Sequence, residues 1–170
     1  IHRNVSAENV IVTPTHVVKI TNFGQARMGE GGPTFAPSGR VLGTLGYVSP
    51  EQLQGGAVDR RADVFAAGIV LWEMISGRRL VRAKTFAQAY EQLLSAPFPD
   101  VRTQAAATPD RLAEIVARAL ARDPEARWQD AATMGEELIG SVPELAGPRE
   151  IEALVRTRAG RDVEQLEALA

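Results

Sequence analysis

The sequence predicts a mainly α protein: a helical bundle around a buried central helix, with a small β-ribbon near the N-terminus. Three observations carry this. Two short β-branched runs come first and are followed by a Gly- and Pro-rich stretch. The segment DVFAAGIVLWEMISG (63–77) is apolar nearly all round, which suits a helix covered on every side. Several later stretches begin at a capping residue and repeat apolar side chains at helical spacing.

In chain order, NVIV (9–12) and HVVKI (16–20) read as the two arms of a hairpin, with the turn-like TPT between them. Residues 28–44 are rich in Gly, Pro, Ser and Thr and read as a long loop, a class that is often functional. SPEQLQGG opens with Ser-Pro and stops at Gly55. Asp63 is placed to cap the central helix, which ends at Gly77. Thr85 caps 85–95. Thr108 caps a helix with Pro109 in its first turn and Pro124 as its stop, and Leu112, Ile115, Val116, Ala119 and Leu120 form its apolar stripe. Asp130 begins another amphipathic helix. GPREIEALVRTRAG and RDVEQLEALA form a helical tail, in which Ile151, Leu154 and Val155 are expected to dock on the bundle or on a partner.

The 170 residues suffice for one domain with a sizeable core, and 45% hydrophobic with 24% charged residues is ordinary globular composition. A net charge of -2 advertises no nucleic-acid binding. With 0 Cys, disulfides, thiolate metal sites and Cys nucleophiles are excluded, and 2 His disfavour a His-rich metal site. No apolar run is long enough to span a bilayer, and no basic stretch leads into an apolar one as in a signal peptide. A cytoplasmic location is expected. The chain opens on Ile1 rather than Met, so upstream sequence is expected as well.

Five motifs follow one another in a recognisable order: HRNVSAEN (2–9), ITNFGQAR (20–27), GTLGYVSPEQ (43–52), DVFAAGIVLWEMISG (63–77) and ALARDPEARW (119–128). The set resembles the C-terminal lobe of bacterial Ser/Thr protein kinases: the H-R-D-x-K-x-x-N catalytic loop, the D-F-G stretch, the A-P-E end of the activation segment, the central helix and the late Arg signature. The resemblance covers residues 1–140, with 141–170 as a helical C-terminal tail. No G-x-G-x-x-G and no V-A-I-K lysine occur, so it implies a lobe without its N-terminal partner and without the helix that precedes the catalytic loop.

The resemblance also assigns roles. Asn4 stands where the family has its catalytic Asp, Ser6 where it has Lys, and Asn22 where the D-F-G Asp binds Mg²⁺. A carboxamide has no anionic form near neutral pH and cannot act as a base, a loss typically worth about 100- to 10,000-fold in rate. Asn9 alone matches at a metal-ligand position. Ile11, with Val70 and Met74, matches the apolar column under the adenine. His2 and Phe23 match stacking positions, Asp63 would hold the backbone of His2 and Arg3, and Glu51 and Arg127 would form a buried pair. Arg3 is a candidate partner for a phosphorylated loop residue, with Thr34, Ser38 or Thr44 as sites. Thr44 also matches a residue that contacts the catalytic Asp and Lys; with those two replaced, that role is not expected to be kept. Together these features imply a pseudokinase-like lobe that works by binding a protein partner or other domains of its own chain. No nucleic acid and no membrane segment are implied, and no cofactor is expected unless an upstream N-lobe completes a site for ATP and Mg²⁺. The alternative is a kinase lobe with weak ATP-dependent phosphotransfer once joined to that N-lobe.

Overall fold

A computed structural model describes residues 1–13, 17–25, 44–83, 85–142 and 146–167, with side chains to residue 158. The expected loop over 28–44 lies outside the described residues except at its last position, as do the candidate phosphosites Thr34 and Ser38 and the residue His16. Two strands, β1 (Val10–Val12) and β2 (Val18–Ile20), pair antiparallel, with Val10 opposite Ile20 and Val12 opposite Val18. Among the described residues six helices follow: α1 (Pro50–Leu53), α2 (Arg61–Ser76), α3 (Phe86–Leu94), α4 (Asp110–Ala119), α5 (Ala131–Ser141) and α6 (Pro148–Glu167). Short 3-10 turns at Ala7–Asn9, Phe23–Gln25, Leu45–Tyr47, Val101–Thr103 and Pro124–Ala126 link them.

The mainly helical expectation holds, and α2 is its axis. Phe65, Ile69 and Trp72 pack on one side with Tyr47, Leu53, Leu93 and Val116, while Val64 packs on another with Ile115, Trp128 and Met134. Gly68 lets α4 approach: a Cβ there would lie 2.8 Å from the Cβ of Ala119. Both Trp side chains serve the core, and each indole N–H donates to a carbonyl, Trp72 to Pro99 at 2.9 Å and Trp128 to Ile115 at 3.2 Å.

The helix is not covered on every side. Ala67, Val70, Leu71 and Met74 form a stripe that lines an apolar groove with the ribbon and α5, and Met74 is 73% exposed. The start of α2 also differs from expectation. It begins three residues earlier, at Arg61 rather than Val64, and Asp59, not Asp63, accepts from a backbone N–H at its entry (Arg61 N–H, 2.8 Å). Asp63 falls in the first turn because its carboxylate is engaged elsewhere. Gly77 ends the helix in the left-handed conformation (φ 66°), as its type allows.

Other boundaries follow local chemistry. Thr85 and Asp130 cap α3 and α5, accepting from Gln88 and Thr133 N–H respectively. At α4 the cap position belongs to Pro109, because the Thr108 hydroxyl instead donates to the carbonyl of Ala105. The tail forms one continuous helix rather than two, since a single Gly160 inside a run of good helix formers does not break it. Leu154 on that helix is exposed, while Ile151 and Val155 are half-buried.

Candidate functional site

The catalytic-loop region is built from three short pieces held by α2. Arg3 adopts φ 65°, a left-handed conformation disfavoured for a long side chain, and so needs an external clamp. Asp63 supplies it, with the N–H groups of His2 and Arg3 each donating to one of its carboxylate oxygens at 2.7 Å. The His2 ring lies between two partners: Nδ1 accepts from Asn4 N–H (3.2 Å), and Nε2 donates to the carbonyl of Thr21 (3.0 Å). These partners fix the Nε2–H tautomer. Phe23 meets the His2 ring edge-on at 4.6 Å, with its other face exposed.

Asn9 ties the loop to the ribbon. Its side-chain amide donates to the carbonyl of Asn4 (2.8 Å), and its own carbonyl accepts from Thr21 N–H (2.9 Å) and the Thr21 hydroxyl (3.3 Å). Asn4 is buried, and its Oδ1 accepts from Thr44 N–H at 2.9 Å and from the Thr44 hydroxyl at 3.3 Å. A backbone N–H demands an acceptor, which sets the orientation of the Asn4 amide. Thr44 therefore does reach position 4, contrary to the expectation from sequence: the contact needs an oxygen acceptor and not a negative charge. Ser6 is fully buried, and its hydroxyl has no hydrogen-bond partner among the described residues. Asn22 adopts φ 66°, where Asn is among the best tolerated residues. Arg3 is buried rather than solvated.

Ile11 does not join Val70 and Met74. Side chains alternate along a strand, and it is Val10, Val18 and Ile20 that share the groove with Val70 and Met74. Ile11 points to the opposite face and is 46% exposed.

Farther along, Arg127 is fully buried and uses all five of its N–H donors. Nη1 donates to Glu51 (2.8 Å) and to the carbonyl of Arg61 (3.1 Å). Nη2 donates to Glu51 (2.7 Å) and to the carbonyl of Arg122 (2.9 Å), and Nε donates to the carbonyl of Ala121 (2.6 Å). Its guanidinium also lies over the Phe65 ring at 4.8 Å.

Sequence reasoning missed one cluster. Tyr47 donates to Glu73 (2.6 Å) and accepts from Arg79, which also approaches Glu73 (3.4 Å) and Glu8 (3.8 Å). Burial, and then the bond to Glu73, push the Tyr47 phenol up to about 12. The available signal was the charge order E…RR over 73–79, which reads as ordinary helix-end decoration.

This arrangement, with His2, Asn4, Asn9, Asp63 and Thr44 interlocked and Glu51 tied to Arg127, coincides with a family match. The model for the protein kinase domain matches residues 1–138. The chain belongs to the protein kinase family. It is 38% identical over 141 residues to Serine/threonine-protein kinase PknB of Mycolicibacterium smegmatis, covering 82% of this chain and 22% of that protein. It is 33% identical over 148 residues to Serine/threonine-protein kinase PknL of Mycobacterium tuberculosis, covering 87% of this chain and 37% of that protein. The chain thus spans between about a fifth and two fifths of the length of these curated relatives. Among the described residues no helix is long and apolar enough to cross a membrane.

The family implies ATP and Mg²⁺. Positions 4, 9 and 22 offer only neutral amide oxygens, and no group of three His, Cys, Asp or Glu side chains among the described residues is arranged to hold a metal. The Asp63 carboxylate is engaged by backbone N–H groups. Neutral amide oxygens are weaker ligands for a hard dication than carboxylates, so this donor set fits Mg²⁺ poorly.

Proposed function

We propose that this chain is a catalytically impaired kinase lobe that acts in signalling by binding protein: a partner, or further domains of its own chain. Residues 1–140 form the lobe and 141–170 a helical extension, and the protein works in the cytoplasm. The observation that carries this reading is the Asn4–Thr44 contact. The carboxamide oxygen preserves the architectural bond between catalytic loop and activation segment, yet it cannot take a proton from a substrate hydroxyl. Ser6, buried and uncharged, lacks the reach to steady a transferred phosphate. Asn22 repeats the loss of charge at the metal-facing position. The clamp by Asp63 and the Glu51–Arg127 pair keep the scaffold rigid, as a binding module requires.

The test is a sensitive phosphotransfer assay on the complete chain with Mg²⁺ and with Mn²⁺. The expected outcome is no transfer above background. Robust transfer that disappears when Asn4 or Asn22 is changed would overturn the proposal in favour of an unorthodox kinase that needs an N-lobe to complete its site.

A further inference from the structure

A cavity of about 350 Å³ lies between α2, α4 and residues 97–101, which follow α3. Trp72, Phe98, Val101, Val116 and Leu120 give it apolar walls, and the charged residues that line it are Asp100 and Arg122. The two are not equivalent. The Asp100 carboxylate accepts from the Arg102 side chain and from Arg102 N–H. Arg102 pairs in turn with Asp110, whose carboxylate is 84% exposed and does not line the cavity. Arg122 has no carboxylate partner among the described residues. Its Nε donates to the carbonyl of Leu93 (2.9 Å), and its Nη2 donates to the carbonyls of Gln92 (3.3 Å) and Ala96. These bonds anchor the end of α3 and use three of the five guanidinium N–H donors, leaving Nη1 without a partner among the described residues. Burial alone pushes the Arg122 guanidinium below its ordinary value, whereas hydrogen bonds to carboxylates push Arg61, Arg102 and Arg111 up.

We infer that this cavity binds a small apolar carboxylic acid, with the carboxylate on Arg122 and the hydrocarbon body against Trp72 and Leu120. Three features carry this. First, the polarity is right: apolar walls with one cationic handle orient a ligand by a single anionic group. The buried Arg127, by contrast, is already matched by Glu51 and has no charge to offer. Second, the size is right. An apolar cavity of about 150 Å³ holds benzene, so this one has room for a ring with a short acid chain. Third, the walls are fixed in advance. The Trp72 indole is tied to the carbonyl of Pro99 (2.9 Å), and Phe98 is held between the Phe65 ring (6.0 Å) and the Arg122 guanidinium (4.7 Å). Pro97 and Pro99 restrict the backbone on either side of Phe98. A pocket built this way loses little freedom when a ligand enters.

The test titrates the complete chain with phenylacetate and with phenylacetamide, which has the same shape without the charge, and follows the two indole N–H signals by NMR. Phenylacetate is expected to shift the Trp72 signal saturably and to leave that of Trp128, which lies outside the cavity, in place. The amide should bind at least about tenfold more weakly, the loss of a charge-assisted hydrogen bond. Arg122→Gln should bring acid and amide to equal affinity. Ala117→Phe, at an exposed position on the cavity wall, should block both, and it decides the matter should Arg122→Gln loosen the end of α3. Equal affinity of acid and amide for the unmodified chain, no saturable shift at Trp72, or binding that survives Ala117→Phe overturns the inference. The readout is binding and not phosphate transfer, so the result does not depend on whether the lobe is catalytic.

Discussion

Removing the carboxylate from Glu51 tests how the lobe is held together. In the folded chain Arg127 is 0% exposed, and its five donors meet Glu51 twice and three backbone carbonyls once each. Glu51→Ala leaves that cation buried with two donors unmatched. Loss of one partner from a buried ion pair typically costs about 3–5 kcal/mol. The three remaining carbonyl bonds soften the loss, so the lower half of the range applies, about 3–4 kcal/mol. For a chain of this length 1 kcal/mol moves Tm by roughly 2–4 °C, which gives a drop of roughly 6–16 °C. The reciprocal change, Arg127→Met, strands the Glu51 carboxylate and three carbonyls together and should cost more. The double variant should be less destabilised than the two single changes added together, because each single change contains the penalty of an orphaned charge. Urea unfolding of the complete chain and its three variants measures the cycle. A Glu51→Ala midpoint within 1 kcal/mol of the unmodified chain, or strict additivity in the double variant, would refute the view that this pair is desolvated and mutually dependent.

Two further outcomes follow from the geometry. Gly68→Ala places a methyl 2.8 Å from Ala119 Cβ and 3.3 Å from Leu120 Cδ2. Overpacking of this kind costs about 1–3 kcal/mol and outweighs the roughly 1 kcal/mol gained in helix propensity, so the urea midpoint should fall. A rise would show that α2 and α4 can separate freely. In alkali, Tyr47 should ionise near pH 12, seen as tyrosinate absorbance. The folded state holds the phenol proton more tightly than the unfolded chain, whose tyrosines ionise at about 10. The Tyr47 contribution is therefore intact below about pH 10 and is lost as pH climbs from about 10 to about 12. Tyr47→Phe should abolish that part of the pH dependence, and an unchanged profile would contradict the assignment.

Much of this is legible in the sequence alone. Caps at Thr85 and Asp130 and the stop at Gly77 could be read because each acts within one turn, through a side chain or a φ angle that the residue type itself sets. The roles of Asp63, Glu51 and Arg127 could be named only through family resemblance, since their partners lie 60 to 76 residues away and no periodicity links them. The misreadings have physical sources. The family resemblance groups Ile11 with Val70 and Met74, but strand alternation sends it to the other face. The apolar run of α2 implies cover on every side, but composition does not say what covers each side, and the face with Met74 lines an open groove. The loss of its charged partners argues against a role for Thr44, although the contact requires only an acceptor oxygen. The Tyr47–Glu73–Arg79 cluster shows in the sequence only as the charge order over 73–79, because it forms only when the loop after α2 folds back on the turn before α1.

The two amide positions differ from the buried ion pair in what the fold asks of them. At position 4 an oxygen acceptor is all that the fold asks, and at position 22 a residue comfortable at φ 66° suffices. Asn meets both demands as well as Asp does. The demand of the fold and the demand of the chemistry are thus separable at these two sites: the fold asks for an acceptor oxygen and a tolerated backbone angle, and the negative charge answers to the chemistry. At Glu51 and Arg127 the two are not separable, because removing either charge leaves the other buried and unpaired.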